Sequence, residues 1–309
     1  MARVSFADVK RVAIALGWIA LYALIGIGLT IGLSEMLPGW GGNQWFVFRN
    51  GLFEVIGFLA ATFIVGNLLN KYSWDRMGWR TQPRALVAHL LRGVGIGALM
   101  AAFAIGLAFA GDHATVRLTG NWAIWPGIAL PLMVGLVLAA LGEELMFRGY
   151  PMRRLADAIG APAAMVILAL LFGLAHVRNP SATFFSTANV ALAAIWLSFA
   201  FFSNGGMALA WGLHFGWNAG LAILFDAPVS GFQFDVPAVD YTPGRHAWID
   251  GGAFGPEGGI VATVALLGGI FWLLTRPSAF SPPSPAGRGG QGVRTDEGGQ
   301  GVRTTEAAA

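Results

Sequence analysis

Residues 138–154 read LAALGEELMFRGYPMRR, and this stretch decides how the rest of the chain is interpreted. A long apolar run ends in two adjacent carboxylates, Glu143 and Glu144, and Arg148 follows at i+4 from the second. On a helix, Glu144 and Arg148 share one face and can pair, whereas Glu143 points about 100° away. A carboxylate within a membrane-spanning helix costs at least ~2.5 kcal/mol, so such residues are rarely without a role. The sequence therefore predicts a local partner for Glu144 and a function for Glu143.

The composition around this stretch is that of an integral membrane protein. Only 11% of the 309 residues are charged and 56% are hydrophobic, whereas a soluble domain carries roughly 25% charged residues. The mean hydropathy is +0.63. The absence of cysteine excludes disulfides and sulfur-ligated metal. The net charge is only +3 and the arginines are scattered, so the sequence has no nucleic-acid footprint.

Eight apolar segments predict an all-α, polytopic membrane protein with about eight transmembrane helices. They are 12–33, 51–70, 88–110, 125–150, 161–177, 186–203, 206–225 and 258–275. With a cytoplasmic N-terminus, fifteen of the 19 lysines and arginines fall on the cytoplasmic side, as the positive-inside rule requires. The sequence thus predicts both termini in the cytoplasm, and we expect a multi-pass protein of a bacterial inner (plasma) membrane.

Three further polar side chains stand inside apolar helices. His176 follows Phe172 at i+4 in LLFGLAHV, and His214 precedes Asn218 at i+4 in AWGLHFGWNAG. Each alone is explained by an ordinary interhelical hydrogen bond. Together with the glutamates they suit the activation of water, because a glutamate can act as a base and the other groups can hold a metal or donate to an oxyanion. The set favours hydrolysis.

These residues form three motifs, EExxxR at 143–148, FxxxH at 172–176 and HxxxN at 214–218. The motifs resemble the three signatures of the CAAX-protease and bacteriocin-processing family of intramembrane proteases. All three match without substitution, in family order, on different predicted helices. The resemblance implies a CAAX-protease-like helical bundle. The candidate site residues are Glu143, Glu144, Arg148, His176, His214 and Asn218.

The resemblance also implies a role for each of these residues. Glu143 would be the general base that activates the attacking water, supported by the other two residues of its motif. His176 and His214 would line the water or metal site, and His214 with Asn218 would stabilise the tetrahedral oxyanion. The implied activity is cleavage of a peptide bond near the membrane.

A divalent metal is an open alternative at this site, because the family is often labelled a metalloprotease. Two histidines and one glutamate could ligate zinc, which makes Glu143, His176 and His214 the candidate ligands. A glutamate that serves as a ligand is not free to act as the base. The residues alone therefore leave zinc undecided.

Two other functions remain open at this point. A non-enzymatic scaffold or immunity protein would keep the fold and tolerate changes at Glu143. A proton-coupled transporter would also use buried Glu and His, although the sequence lacks the two symmetric halves of many transporters. As partners we expect membrane lipid and a peptide or protein substrate at the membrane, and no nucleic acid.

The chain divides into three predicted regions: N-terminal helices over 1–124, a CAAX-protease-like catalytic domain over 125–275, and a tail over 276–309. The tail contains GGQGVRT at Gly289 and again at Gly298. Such low-complexity sequence cannot bury a core, so we expect a disordered cytoplasmic tail.

The positions of Glu143 and His176 along their helices predict an irregularity in the helical structure. Glu143 lies ~10 Å from the end of its predicted helix, whereas His176 lies ~22 Å along its own. The two would not meet on straight helices. We therefore predict a broken helix around Gly149–Pro151 and a water-filled cavity that reaches the site.

Overall fold

The computed structural model describes residues 5–37, 42–79 and 82–275. Its helices are α1 (Phe6–Met36), α2 (Asn43–Ala61, continued by a π-helical segment Thr62–Leu69), α3 (Pro83–Ala110), α4 (Trp125–Phe147), α5 (Tyr150–Ile159), α6 (Ala161–Ala175), α7 (Phe184–Phe202), α8 (Gly206–Ala219, continued by a π-helical segment Gly220–Leu224), α9 (Ala247–Asp250) and α10 (Ile260–Leu274). Two short strands, β1 (Ala114–Leu118) and β2 (Val239–Pro243), pair antiparallel.

Each of the eight predicted segments contains a helix, so the chain is an all-α polytopic membrane protein with one small strand pair. Within the described residues, six helical spans are long and apolar enough to cross a membrane. The other two apolar helices are α6 and α10, with 15 residues each. The sidedness of the termini and the identity of the membrane stay predictions.

The predicted break after the glutamate motif is confirmed. Helix α4 ends at Phe147, Gly149 leaves the helical region with ψ −114°, and Pro151 lies in the first turn of α5. Proline is tolerated there because the first turn has unpaired N–H groups in any case. Gly160 (φ 88°) makes a second break before α6, and α5 packs against α1 and α6.

Helix α8 lies at the centre of the bundle, in contact with α3, α4 and α7. Its crossing with α3 is close because glycines of both helices face each other. A Cβ on Gly93 would lie 2.8 Å from Leu213 N, and one on Gly216 would lie 2.8 Å from Val94 Cα. Small residues permit this approach in membrane helices, where van der Waals packing drives association.

The glycine face of α8 also determines where its polar residues point. Gly212 and Gly216 face α3, and residues two positions apart on a helix point roughly 200° away from each other. His214 and Asn218 are therefore directed away from α3, toward α4 and the interior. The crossing with α3 positions the face of α8 that carries His214 and Asn218.

The N-terminal helices pack directly on the later ones, with α2 against α4 and α3 against α8. The division at residue 124 stays a prediction. The helices on its two sides pack against each other and do not form separate bodies. The predicted tail, 276–309, lies outside the described residues.

Candidate active site

The first motif forms a buried ion pair on α4. The side chains of Glu144 and Arg148 are 0% and 1% exposed, and Arg148 Nη1 donates to Glu144 Oε1 at 3.2 Å. The same oxygen lies 2.9 Å from Nδ1 of His214. Because a carboxylate only accepts, the Nδ1–H of His214 is the donor. Glu144 thus has the predicted local partner and also fixes the orientation of an imidazole on another helix.

The other ring nitrogen of the same imidazole faces Glu143. His214 Nε2 lies 3.6 Å from Glu143 Oε2, and the Glu143 side chain is 28% exposed. Glu143 Oε2 accepts no hydrogen bond from the part of the chain that the structure describes. One imidazole therefore lies between two carboxylates: Glu144, whose Oε1 is paired with Arg148 and His214, and Glu143, which is partly exposed.

Phe172 holds the second motif in contact with the other two. Its ring centroid lies 4.7 Å from that of His176 and 6.1 Å from that of His214, and Arg148 Cζ lies 4.4 Å from it on the ring face. His176 caps the end of α6, and its Nδ1 lies 2.8 Å from the carbonyl oxygen of Phe172. Donation to that carbonyl places the proton on Nδ1 and leaves Nε2 as an acceptor.

A cavity of about 220 Å³ joins these side chains. Four of the six predicted site residues line it, namely Glu143, His176, His214 and Asn218. The Glu144–Arg148 pair does not line the cavity and lies behind His214. The six residues thus lie together: four line the cavity, and the other two form the ion pair that contacts His214 from behind.

Glu54 on α2 also lines the cavity, together with Asn50. From its place near the outer end of the apolar segment 51–70, the sequence alone favours an interfacial residue. The close approach of α2 to α4 brings it inward, because a Cβ on Gly142 would lie 2.7 Å from Glu54 Cβ. The available signal was a carboxylate in an apolar helix, the same signal that singled out Glu143.

Glu257 is a second residue of the cavity wall that the sequence did not indicate. Its carboxylate accepts from Trp217 Nε1 at 2.9 Å, from Ser230 N at 2.5 Å and from Ser230 Oγ at 3.0 Å. Asn179 Nδ2 donates to the carbonyl of Ser230 at 3.0 Å. Trp217 lies on α8 and Asn179 on the loop between α6 and α7, so these bonds attach the segment between α8 and α10 to that helix and that loop. Phe232 and Phe234 of the same segment also line the cavity.

Residues 124–220 match the family model of type II CAAX prenyl endopeptidases, Rce1-like. This part of the chain is similar to the CAAX-protease-like family. A search of curated proteins found no match.

The CAAX-protease-like region runs from the start of α4 to the end of α8 and contains all six predicted site residues. The family is one of endopeptidases, which supports a membrane protease in general. Two cavity-lining carboxylates, Glu54 and Glu257, come from outside the matched residues. The cavity of the CAAX-protease-like region is therefore completed by residues that precede and follow this region in the sequence.

The described side chains contain no group of three or more His, Asp or Glu placed to hold an ion as they stand. The Nδ1 atoms of His176 and His214 are engaged by the Phe172 carbonyl and by Glu144. Zinc on Glu143, His176 and His214 stays a prediction, and no chemical step is derived through it.

Proposed function

We propose that the protein is an intramembrane endopeptidase in which Glu143 activates water for attack on a peptide carbonyl. The proposal rests chiefly on one observation: a single imidazole, His214, lies between the paired Glu144 and the partly exposed Glu143 at the wall of a cavity. Similarity to an endopeptidase family supports it.

In the proposed first step, Glu143 Oε2 takes a proton from a water molecule in the cavity while the water oxygen attacks the carbonyl carbon. A carboxylate without a competing donor suits this task, because a base must reach the proton it removes. His176 presents Nε2 as an acceptor to the same cavity, and we assign it the role of orienting the water.

The tetrahedral oxyanion would be stabilised by donors on α8. The amide of Asn218 lines the cavity one helical turn from His214, and protonated His214 would present Nε2–H on the same side. The Nδ1 bond to Glu144 and the Glu144–Arg148 pair keep the ring in place. Donors held in this way need no reorganisation during the reaction, which is the main source of oxyanion stabilisation.

The second step breaks the C–N bond. Glu143, now protonated, transfers its proton to the leaving amine nitrogen, and the oxyanion collapses to the new carboxyl group. The cavity walls are largely apolar, with Leu136, Trp196, Leu197 and Phe234 among them. These walls suit a hydrophobic stretch of a membrane-located peptide or protein as substrate.

The test uses the purified full-length protein in lipid bilayers with a library of membrane peptides. Replacement Glu143→Gln should reduce cleavage by about 10²–10⁴-fold, the contribution typical of general base catalysis. The matched control is Glu35→Gln, which makes the same change at an exposed position of α1. Undiminished cleavage by the Glu143 variant would refute the mechanism. Proton flux without cleavage, lost in the same variant, would favour the transporter.

A further inference from the structure

A second cavity, of about 410 Å³, lies between the N-terminal turns of α1, the segment after α2, and α5. It shares no lining residue with the candidate active site. We call it the α1–α5 pocket. Four of its lining side chains are cationic and one is a carboxylate. Its polar lining residues are Lys10, Arg11, Tyr72, Arg76, Arg154 and Asp157.

The one carboxylate of the pocket is already neutralised. Asp157 Oδ2 accepts from Arg76 Nη2 at 2.7 Å and from the Tyr72 hydroxyl at 2.8 Å. Arg11 pairs outside the pocket, with Asp8 at 3.0 Å. Among the described residues, Lys10 and Arg154 have no carboxylate within 4.0 Å. The pocket therefore carries positive charge that the described protein does not balance.

Arg154 is held in a way that a general excess of cytoplasmic cations does not explain. It is partly buried on α5, and Nη1 donates to the Tyr72 hydroxyl at 3.3 Å. Its Nε is buried and has no hydrogen-bond partner among the described residues. The positive-inside rule accounts for an excess of lysine and arginine in cytoplasmic loops, where these side chains are solvated. Arg154 instead lines the cavity with a guanidinium group whose hydrogen-bonding capacity the described residues leave partly unused.

The chemistry of the pocket suits a phosphate group. The planar guanidinium of Arg matches phosphate oxygens, and Lys adds a compact point charge. Ile14 and Ala15 line the same pocket, and Ile14 and Val9 are exposed on the adjoining surface of α1. The basic pocket lies beside an exposed apolar face of α1, so it suits a ligand that has both an anionic group and a hydrophobic chain. Basic pockets between membrane helices on the cytoplasmic side bind anionic headgroups, and this is the side on which the sequence places these residues.

From this geometry we infer that the α1–α5 pocket binds a phosphate group, as carried by the headgroup of an anionic phospholipid. Lys10 and Arg154 contact the phosphate oxygens, and the acyl chains follow the apolar face of α1. The inference is independent of the proposed peptidase mechanism, because it uses none of the residues of that site.

The experiment uses full-length protein, delipidated in detergent. Phosphatidylglycerol and phosphatidylcholine are added separately and binding is measured by native mass spectrometry. We expect a clear preference for phosphatidylglycerol, and a loss of about fivefold in its affinity for each charge removed in Lys10→Gln and Arg154→Gln. The matched control is Arg84→Gln, which removes an exposed cation at the start of α3 and should leave binding unchanged.

A further arm adds inorganic phosphate alone. Displacement of phosphatidylglycerol by phosphate at equal concentration would support the phosphate site and assign the soluble ion as its occupant. Failure to displace it would assign the lipid. Lys10 is exposed and forms no salt bridge with the described residues, so its variant tests the site without a risk to folding. Equal binding of the two lipids, or unchanged binding in both variants, would overturn the inference.

Discussion

The Nδ1 atom of His214 lies 2.9 Å from Glu144 Oε1, which is also the oxygen that receives Arg148. The more buried of two adjacent glutamates therefore orients the imidazole, while Glu143 faces the cavity. The proposed mechanism thus assigns separate tasks to two neighbours in sequence, positioning to Glu144 and chemistry to Glu143. This separation can be measured.

The variants Glu143→Gln and Glu144→Gln should differ in stability. We expect both to lose cleavage, but only Glu144→Gln to lower the free energy of unfolding, by about 3–5 kcal/mol, because it leaves Arg148 buried without its counter-ion. Thermal unfolding of both proteins, alongside their cleavage rates, provides the measurement. Equal stabilities would show that the buried pair is not what separates the two residues.

The close crossing of α3 and α8 should be intolerant of a single methyl group. In Gly216→Ala the new Cβ would lie 2.8 Å from Val94 Cα, so the helices must separate and we expect a loss of about 1–3 kcal/mol in stability. Cleavage should fall with it, because His214 lies on the same helix. The control is Gly95→Ala on α3, whose Cβ would meet no atom within 4 Å. A normal unfolding temperature in Gly216→Ala would contradict the packing argument.

Glu257→Gln should loosen the segment that covers the cavity. Glu257 accepts three hydrogen bonds on two oxygens, whereas a glutamine amide has only one acceptor oxygen and would turn its NH₂ toward a donor. We expect faster hydrogen exchange over residues 225–259 and a several-fold lower cleavage rate. Exchange measured by mass spectrometry checks this, with Glu35→Gln as the unaffected comparison. Unchanged exchange would mean that other contacts hold the segment.

The same segment should have a pH-dependent stability that traces to Asp226. Burial, together with the carboxylates of Asp235 and Asp240, raises the pKa of Asp226 from 3.8 to about 6. A carboxyl whose folded pKa exceeds its unfolded value favours folding when protonated, so its contribution is full below about pH 4 and is lost as pH rises through 6.

Asp226→Asn should therefore remove a decrease in stability between pH 4 and pH 6.5, as followed by the unfolding temperature or by local hydrogen exchange. Asp112→Asn, at an exposed position before β1, should keep the wild-type profile. Identical profiles for the wild type and the Asp226 variant would contradict the assignment.

Much of the fold was predictable because its signals are local. Apolar segments of membrane length predicted every long helix, and the mismatch in depth between Glu143 and His176 predicted the break at Gly149. The ion pair of Glu144 with Arg148 follows from i,i+4 spacing alone. These inferences needed only helix geometry and the cost of charge in an apolar segment.

The missed residues depend on distant contacts. Glu54 reaches the cavity because α2 packs closely on α4, and Glu257 reaches it through hydrogen bonds to Trp217 and Ser230. No local pattern contains such information, since it arises from helix order in the bundle and from an irregular connection. The role of Phe172 as a common contact of two imidazoles and a guanidinium is likewise visible only in three dimensions.

The backbone contact between α3 and α8 has a consequence for any attempt to use the family-matched region by itself. A fragment that begins at α4 would present the glycine-lined side of its central helix to lipid, with no ridge to fill the resulting groove. Hybrid proteins made by exchanging only residues 124–220 should therefore fail to assemble unless α3 is exchanged as well. The region that the family model matches is smaller than the set of helices that packs together.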